Sequence, residues 1–400
     1  MWNETQLKQT LCDELRGILT YWADKAVDMA NGGFVGRIDG RNIAHVGAPK
    51  GAVLHARILW TFSAGYGFFG EEKYRKLADR AFLYIRDHFI DADYGGVFWT
   101  VNAQGHMLDP KKQIYALAFC IYGLSEYYAV TKKAEALSLA LGLYAMIEQY
   151  SHDKRDGGYL EAFTRDWAKA DDVRLSEKDA NEKKTMNTHL HIIEAYANLY
   201  KVSPSEGLRR NIAELLGLFD RHFIDRKKFH LRLFFDEQWN EKRNVVSYGH
   251  DIEAAWLLQQ CAEIIQDQEW IDRCRQYAVK IADAAMEGLD EDGGLWYEYD
   301  LVNSEMVAEK HWWPQAEAVA GFFNAWEVTN DARYFDAAMN AWLFINDHII
   351  DWEGGEWFWG VRKDYTVMED KDKVGVWKCP YHNARACIEV LRRKNTIING

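Results

Sequence analysis

Apolar positions along the chain recur at helical spacing in paired segments that are separated by glycine-containing turns. The first segment of a pair is apolar nearly all round, as in residues 249–258, and the second alternates apolar and polar faces, as in residues 268–277. A helix that is apolar on all sides is typical of a buried position, and a two-faced helix is typical of a half-exposed one. The pattern therefore predicts inner helices covered by outer helices.

Twelve helices are predicted in this way, with short turns inside each pair. They cover residues 6–28, 51–69, 71–91, 113–131, 133–151, 188–203, 206–225, 249–265, 268–288, 312–329, 331–350 and 381–393. The first and the last helix have no neighbouring partner in the sequence. We expect these two to pair with each other.

A repeat of about sixty residues underlies the helical pairs. Gly-Gly pairs recur at 32–33, 95–96, 157–158, 293–294 and 354–355, and residues 230–235 fill the gap in this series without glycines. Similar phrases at 87–91, 221–225 and 347–351 precede three of these six segments. We predict an all-α fold, an (α/α)6 barrel of six helical hairpins with short β-like segments in the loops, forming one catalytic domain over residues 1–400. An open α-solenoid is the alternative. The two unpaired terminal helices favour closure, because a solenoid needs polar capping repeats at its ends.

Composition narrows the function classes. The net charge is −13 without a basic run, which argues against a nucleic-acid partner, and no run of 18 apolar residues predicts a membrane span. The first residues lack the pattern of a signal peptide, and the six cysteines are scattered without a CxxC pair, so we expect a cytoplasmic protein with reduced thiols. The 17 Trp, 21 Tyr and 19 Phe would suit the flat faces of sugar rings, or simply a large core.

Polar residues recur near the start of each inner helix, in phase with the repeat, so we expect them to face one central axis. They are Arg57, Tyr115, Asn187, His191, His250, Glu253, His311, Glu317 and His382. A single histidine among apolar residues is more often a hydrogen-bonded core residue than a catalyst. Histidines converging from several repeats, together with Arg, Asn, Glu and Trp, indicate a site instead.

Two histidines are followed three residues later by a glutamate, which places an imidazole beside a carboxylate on one helix face. These pairs are His191 with Glu194 and His250 with Glu253. The same spacing also resembles part of a carboxylate-bridged metal site. We predict no metal, since the carboxylates do not cluster with the histidines and the chain has neither HExxH nor a Cys-His set.

Residues 152–187 form the longest stretch between predicted helices and are rich in Asp, Lys and Glu. Loops of this length are usually functional or disordered. Because the stretch leads directly into Asn187 and His191, we predict a flap over the mouth of the barrel. The alternative is a solvated surface insertion.

Four segments resemble the signature segments of the cellobiose 2-epimerases, of the N-acylglucosamine 2-epimerase superfamily. They are KTMNTHLH (184–191), SYGHDIE (247–253), KHWWPQAE (310–317) and WKCPYH (377–382). The resemblance covers essentially the whole chain. It implies an (α/α)6 barrel that inverts C2 of the reducing-end glucose of a disaccharide, turning cellobiose into glucosyl-mannose and lactose into epilactose, with no cofactor.

The resemblance also implies residue roles. His250 and His382 would act on the two faces of C2, and His191 would act in ring opening. Arg57 and Asn187 would hydrogen-bond the sugar oxygens. Further substrate-binding roles fall to Glu253, which would orient His250, to Trp313 and Trp377, which would stack on the sugar rings, and to Tyr115 and Glu317.

Rival functions remain open at this point. They are an N-acylglucosamine 2-epimerase or a mannose–fructose isomerase of the same superfamily, an (α/α)6 glycoside hydrolase, and a non-catalytic carbohydrate-binding protein. The hydrolase would need two opposed carboxylates, whereas the recurring residue here is histidine. The expected partner is a small disaccharide, and the sequence leaves the choice between monomer and dimer open.

Overall fold

Helices account for most of the computed structural model, which describes residues 3–393. The helices are α1 (Glu4–Lys25), α2 (Ala52–Phe69), α3 (Glu72–Tyr84), α4 (Ile114–Thr131), α5 (Ala134–Met146), α6 (Met186–Val202), α7 (Glu206–Leu218), α8 (Tyr248–Ile264), α9 (Gln268–Ala285), α10 (Trp312–Thr329), α11 (Ala332–Phe344) and α12 (Tyr381–Arg392). Each of the twelve predicted helices is present within the described part of the chain. The prediction of an all-α fold is therefore confirmed.

The even-numbered helices form the inner layer and are buried along most of their length. Each contacts the next even-numbered helix, and α12 contacts α2, so the inner ring is closed. The odd-numbered helices cover the ring, and α1 packs against α12 as expected. The (α/α)6 barrel is thus confirmed, and an open solenoid is excluded.

Hydrogen bonds between the two ends of the sequence reinforce the closure. Trp22 on α1 donates its indole N–H to Glu356 at 2.6 Å, and Lys378, just before α12, donates to the other oxygen of Glu356 at 2.7 Å. In the opposite direction, Trp357 donates to Glu14 on α1 at 2.7 Å. These side chains are buried or half-buried, so the contacts fix how the first and last helices meet.

The outer helices end differently from the prediction. α3, α5, α7 and α11 each continue into one π-helical turn, over Ile85–Phe89, Ile147–Ser151, Phe219–Phe223 and Ile345–Ile349, and α9 continues into a 3-10 turn over Met286–Gly288. The predicted helix ends at 91, 151, 225, 288 and 350 therefore include these turns. The apolar pattern continues through these turns, but the spacing of the backbone hydrogen bonds changes.

Short antiparallel strands lie at the end of the barrel where the inner helices begin. They are β1 (Lys50–Gly51), β2 (Thr100–Val101), β3 (Met107–Asp109), β4 (Lys112–Gln113), β5 (Ala162–Phe163), β6 (Lys184–Thr185), β7 (Phe234–Phe235), β8 (Val245–Ser247), β9 (Glu298–Asp300), β10 (Glu305–Val307), β11 (Glu309–His311) and β12 (Gly360–Arg362). Strands β1, β4, β6, β8 and β11 lead directly into α2, α4, α6, α8 and α10. The strands thereby set the position at which each of these inner helices starts.

A buried ion pair joins each of several glycine turns to the following inner helix. Lys112, in the strand before α4, lies 2.7 Å from Asp91, which precedes the Gly95-Gly96 turn, and both side chains are fully buried. The same arrangement joins Lys50 to Asp28, Lys184 to Asp153 and Lys310 to Asp290. Gly95 and Gly96 have φ of 72° and 73°, in the left-handed region that favours glycine. The repeat in the sequence thus encodes a turn and a cation that together hold the inner helix start.

The six cysteines are free, and all but Cys12 are buried. Within residues 3–393, no helix is both long and apolar enough to cross a membrane.

Candidate active site

A cavity of about 1060 Å³ opens at the end of the barrel where the inner helices begin. All of the predicted site residues except Glu317 line it. The lining includes Arg57, Tyr115, Asn187, His191, His250, Glu253, Trp313, Trp377 and His382. The structure therefore brings these side chains together, whereas Glu317, which the phase of the repeat also placed on the axis, does not line the cavity.

His382 is held from behind by a carboxylate. Its Nδ1 lies 2.6 Å from Oε1 of Glu317 and 3.9 Å from Oε1 of Glu253. Burial, and next the positive charges of Arg57 and Arg385, hold the pKa of His382 well below the usual value for an imidazole. No described residue hydrogen-bonds Nε2, which leaves this nitrogen for a ligand in the cavity.

Glu317 lies behind His382 and is 1% exposed. It accepts hydrogen bonds from Trp256 at 3.1 Å and from Arg385. Glu317 therefore holds His382 in position and does not itself line the cavity in which a sugar would lie.

His250 is oriented by a different residue than the sequence suggested. Its Nδ1 lies 2.8 Å from the hydroxyl of Ser247, the last residue of β8, and Glu253 makes no hydrogen bond to it. The expectation that Glu253 orients His250 is therefore wrong for this geometry. Burial, and to a smaller extent the nearby His191, lowers the pKa of His250 to about 3. The imidazole is consequently neutral at physiological pH.

Trp313 contacts both of these histidines. Its ring centroid lies 4.7 Å from that of His250 and 5.7 Å from that of His382. An aromatic face between two imidazoles offers an apolar surface on which a sugar ring can rest. Trp377 also lines the cavity, and its ring centroid lies 6.0 Å from that of Tyr115.

His191 and Glu194 form the pair that their spacing predicted. Nδ1 of His191 lies 2.9 Å from Oε2 of Glu194 on the same helix. Burial alone would raise the pKa of Glu194, but Arg385 and the hydrogen bond with His191 outweigh it and lower the pKa to about 2. Glu194 is thus ionised, and it accepts a hydrogen bond from the Nδ1–H of His191.

Arg385 is a central residue of the site that the sequence analysis missed. It is fully buried on α12, one turn after His382, and donates to Glu194, Glu253 and Glu317. Burial, and next the charge of Glu317, raises the pKa of Glu253 to about 7 in spite of Arg385. Burial also raises the pKa of Glu317. The spacing of Arg385 from His382 on one face was a signal that could have identified it.

The only group with a metal-site donor set among residues 3–393 is Glu253, Glu317 and His382, whose ligand atoms lie within 4.8 Å of one another. Arg385 donates to both of these carboxylates. A guanidinium therefore already supplies the positive charge that the two carboxylates need, and a second cation beside it would be repelled.

Arg57 and Asn187 carry buried polar atoms without partners. Arg57 donates to the hydroxyl of Tyr115 at 2.8 Å, and its guanidinium carbon lies 4.1 Å from the centre of the Phe119 ring. Among the described residues, Nε of Arg57 and Oδ1 of Asn187 have no hydrogen-bond partner. Leaving such atoms unpaired is costly. A ligand that both donates and accepts hydrogen bonds would satisfy them.

Residues 171–183, named here the cover loop, cross the mouth of the cavity, and most of residues 173–182 line it. Gln113 donates to the carbonyl groups of Val173 and Arg174 at 3.1 Å, and Arg243 donates to that of Lys178, also at 3.1 Å. Lys111 also donates to the carbonyl of Arg174, and the backbone N–H of Glu161 donates to that of Lys183, each at 3.1 Å. These few bonds hold the cover loop to the barrel. This position agrees with the predicted flap.

Comparison with known proteins gives one family. The sequence profile of the N-acylglucosamine 2-epimerase (GlcNAc 2-epimerase) family matches residues 32–386. A cellobiose 2-epimerase of Bacteroides fragilis is 49% identical over 386 residues, which cover 96% of this chain and 98% of that protein.

Solved structures agree with the profile match. The crystal structure of a sugar epimerase from a ruminal bacterium superposes with a TM-score of 0.93 at 37% identity, covering 96% of this chain and 98% of the other. The cellobiose 2-epimerase of Bacillus thermoamylovorans B4167 gives a TM-score of 0.90 at 37% identity, covering 96% and 100%.

Proposed function

The chain belongs to the N-acylglucosamine 2-epimerase family and is an isomerase of its epimerase type; on this premise we propose that it inverts C2 of the reducing-end glucose of β-1,4-linked disaccharides. Cellobiose becomes glucosyl-mannose, and lactose becomes epilactose. One observation carries the proposal: His191, His250 and His382 meet Arg57 in a single cavity. Its volume of about 1060 Å³ lies just above the range of roughly 300–1,000 Å³ that is usual for small-molecule sites, which suits a ligand as large as a disaccharide.

The reaction begins with ring opening. A pyranose must open before its C2 hydrogen becomes acidic, because the hydrogen must lie next to a C1 aldehyde. Opening takes a proton from the C1 hydroxyl and adds one to the ring oxygen. His191 acts in this step, with Glu194 holding its Nδ1 at 2.9 Å. An imidazole suits this exchange because it gives and takes protons near neutral pH.

Inversion then needs one proton removed from C2 and one returned to the opposite face. His250 and His382 perform the two transfers through Nε2, which is free on each ring. The acceptor must be neutral and the donor protonated, so the pair needs one proton in total. Glu253, with a pKa of about 7, and Glu317 lie beside Nδ1 of His382. A proton shared among these three groups supplies the charge that the donor needs.

The enediolate formed between the two transfers carries negative charge on the oxygens of C1 and C2. Arg57 stabilises this charge with the guanidinium that faces the cavity, and its unpaired Nε gains a partner. Asn187 accepts a hydrogen bond from a sugar hydroxyl through Oδ1. Trp313 and Trp377 stack on the sugar rings. The steps are proton transfers between side chains and sugar, and the proposal includes no cofactor.

Specific observations count against the rival functions. A glycoside hydrolase needs two opposed carboxylates as acid and base, whereas the side chains that meet Arg57 in this cavity include three histidines, and the two carboxylates nearest to His382, Glu253 and Glu317, both accept hydrogen bonds from Arg385. A carbohydrate-binding protein would not need carboxylates behind His191 and His382. We further propose that residues 1–400 form one domain, working in the cytoplasm on a disaccharide.

Carbon NMR of a cellobiose incubation in heavy water tests the proposal. We expect a glucosyl-mannose signal and deuterium at C2 of the reducing-end sugar. Mannose and N-acetylmannosamine are offered in parallel, because they are the substrates of the two rival isomerases. Turnover of either one without turnover of cellobiose would overturn the proposed substrate, and no C2 exchange with any sugar would overturn the epimerase mechanism.

A further inference from the structure

Helix α6 begins differently from the other inner helices. The hydroxyl of Thr185, the residue just before α6, accepts a hydrogen bond from the backbone N–H of Thr188 at 3.2 Å. Among the six inner helices, all of which lie within residues 3–393, α6 alone has such a side-chain cap. It also follows residues 152–185, the longest stretch between helices, and it carries Asn187 and His191. A helix that supplies two of the proposed site residues is thus held at its start by side chains.

Glu161 completes this cap from a distant part of the chain. Its Oε1 accepts hydrogen bonds from the backbone N–H and from the hydroxyl of Thr185, both at 2.8 Å, and its Oε2 lies 2.5 Å from Oγ1 of Thr188. All three side chains are buried. Asn187 lies between the two threonines, and His191 follows it by one helical turn on the same face. Glu161 therefore holds the backbone on both sides of Asn187.

The backbone of Glu161 makes two further contacts. Its N–H donates to the carbonyl of Lys183, the last residue of the cover loop, at 3.1 Å. Its carbonyl accepts from the N–H of Ile114, the first residue of α4, at 3.0 Å. Glu161 thus lies where the starts of α4 and α6 meet the base of the cover loop.

The carboxyl group of Glu161 is satisfied within the protein. Burial raises the pKa of Glu161 to about 8, although hydrogen bonds from Thr188 and Thr185 act against the rise. The group is therefore mostly protonated at neutral pH, so that one oxygen accepts from Thr185 and the other donates its proton to the hydroxyl of Thr188, which rotates to suit. Glutamine offers the same set, with one carbonyl oxygen and one NH₂ group. Although Glu161 lines the cavity, neither of its oxygens needs a ligand as a partner.

We propose that Glu161 is a positioning residue, which fixes the start of α6 and thereby the places of Asn187 and His191 in the cavity. The inference rests on the proposed function, since it adds a residue to the same site. Removal of the side chain leaves the N–H and the hydroxyl of Thr185 without their acceptor, and unpaired buried groups are costly. The first turn of α6 then loosens, which weakens sugar binding through Asn187 and slows ring opening through His191.

Hydrogen–deuterium exchange followed by mass spectrometry tests the structural step without a substrate. In Glu161→Ala we expect the amides of residues 185–191 to exchange about tenfold faster than in the wild type, and in Glu161→Gln at nearly the wild-type rate. The matched control is Ser205→Ala, which removes the side-chain cap of α7, the outer helix paired with α6. This control should speed exchange over residues 206–209 and leave residues 185–191 unchanged. Unchanged exchange over residues 185–191 in Glu161→Ala would overturn the inference.

Kinetics on cellobiose test the functional step. Glu161→Ala should raise KM and lower kcat, each by about tenfold, because small displacements of positioned groups are costly in rate. Glu161→Gln should recover most of both losses, and Ser205→Ala should lower Tm without changing either constant. A Glu161→Ala variant with a lowered Tm and unchanged kcat and KM would overturn the inference, since its role would then be structural only.

Thr188→Val provides a milder test, which also serves where Glu161→Ala does not fold. It keeps the shape of the side chain and removes only the hydroxyl beside Oε2 of Glu161. We expect KM to rise and kcat to fall by smaller factors than in Glu161→Ala, and unchanged constants would count against the inference. Absence of cellobiose turnover by the wild-type protein would instead overturn the proposed function, while the exchange experiment would still decide the part of Glu161.

Discussion

Nδ1 of His382 lies 2.6 Å from Oε1 of Glu317, and Arg385 donates to that same carboxylate oxygen. The three residues join two neighbouring inner helices, since Glu317 is on α10 and the other two are on α12. Donation from Nδ1–H to Glu317 leaves the lone pair of Nε2 on the cavity side. The tautomer of His382 is therefore set by a residue that does not face the cavity.

Replacing Glu317 with Gln should preserve the shape of this contact and remove its charge. The imidazolium formed during proton transfer would lose its counter-charge, so we expect kcat to fall by about 10²-fold or more with little change in KM. Steady-state kinetics on cellobiose measure both constants. A variant with unchanged kcat would show that Glu317 only supports packing.

Substitution of either of the two histidines that we propose act on C2 should be more severe. His250→Asn and His382→Asn each remove one proton-transfer group, which contributes about 10²–10⁴-fold to the rate. Circular dichroism should show the helical signal of the wild type, because Arg385 still joins α12 to Glu317 on α10 when the ring of His382 is removed. Turnover by His382→Asn near that of the wild type would refute the two-histidine mechanism.

A substitution at Ser247 tests whether this residue, rather than Glu253, orients His250. Ser247→Ala removes the hydroxyl that lies 2.8 Å from Nδ1 of His250, so we expect a loss of kcat while the shape of the site is kept. Deuterium exchange at C2, followed by NMR from each epimer separately, measures the two faces independently. Ser247→Ala should slow one direction of exchange more than the other. Equal slowing from both epimers would mean that Ser247 does not act through His250.

Sequence periodicity predicted the barrel because burial dictates residue choice over whole helices. Its failures are local. The π-helical turn Ile85–Phe89 keeps the apolar pattern of α3 while its backbone pairing changes, and strands of two or three residues such as Lys112–Gln113 are too short to show alternation. Neither feature changes which face of the chain is buried.

The sequence predicted those contacts of the site that form within one helix. It did not predict the contacts between side chains on helices that are distant in the sequence. A spacing of three residues correctly predicted the hydrogen bond between His191 and Glu194. The same spacing predicted a contact between His250 and Glu253 that does not form. In the folded protein Arg385 donates a hydrogen bond to the carboxylate of Glu253, and the hydroxyl of Ser247 hydrogen-bonds the imidazole of His250. A helical spacing states only that contact is possible, and a stronger tertiary partner decides whether it forms.

Chelation should leave the activity unchanged. The two carboxylates near His382 both accept hydrogen bonds from Arg385, so their charge is balanced without a metal ion. Dialysis against a strong chelator, followed by the cellobiose assay, checks this expectation. Loss of activity that one divalent cation restores would show that the group of Glu253, Glu317 and His382 binds metal.

The cover loop should be the first segment cut by trypsin in the free protein. It carries the exposed Lys178, and few hydrogen bonds hold residues 171–183 to the barrel. Cellobiitol, which is cellobiose reduced at C1, should slow the cut when it occupies the cavity, because the loop lines the space that the sugar fills. Lys178→Gln should remove that product, and cutting at the exposed Lys227 and Lys228, on a turn outside the cavity lining, should be unaffected by the sugar.

Shortening the cover loop by deleting residues 171–179 should lower turnover and raise the proportion of ketose. A closed cavity excludes water and limits where the enediolate can be protonated. With the mouth open, a proton can reach C1 as well as C2, and protonation at C1 gives the keto sugar. Carbon NMR of the products measures the ratio of ketose to epimer directly. A deletion variant that keeps the wild-type turnover and product ratio would show that the cover loop is a surface insertion without a part in the reaction.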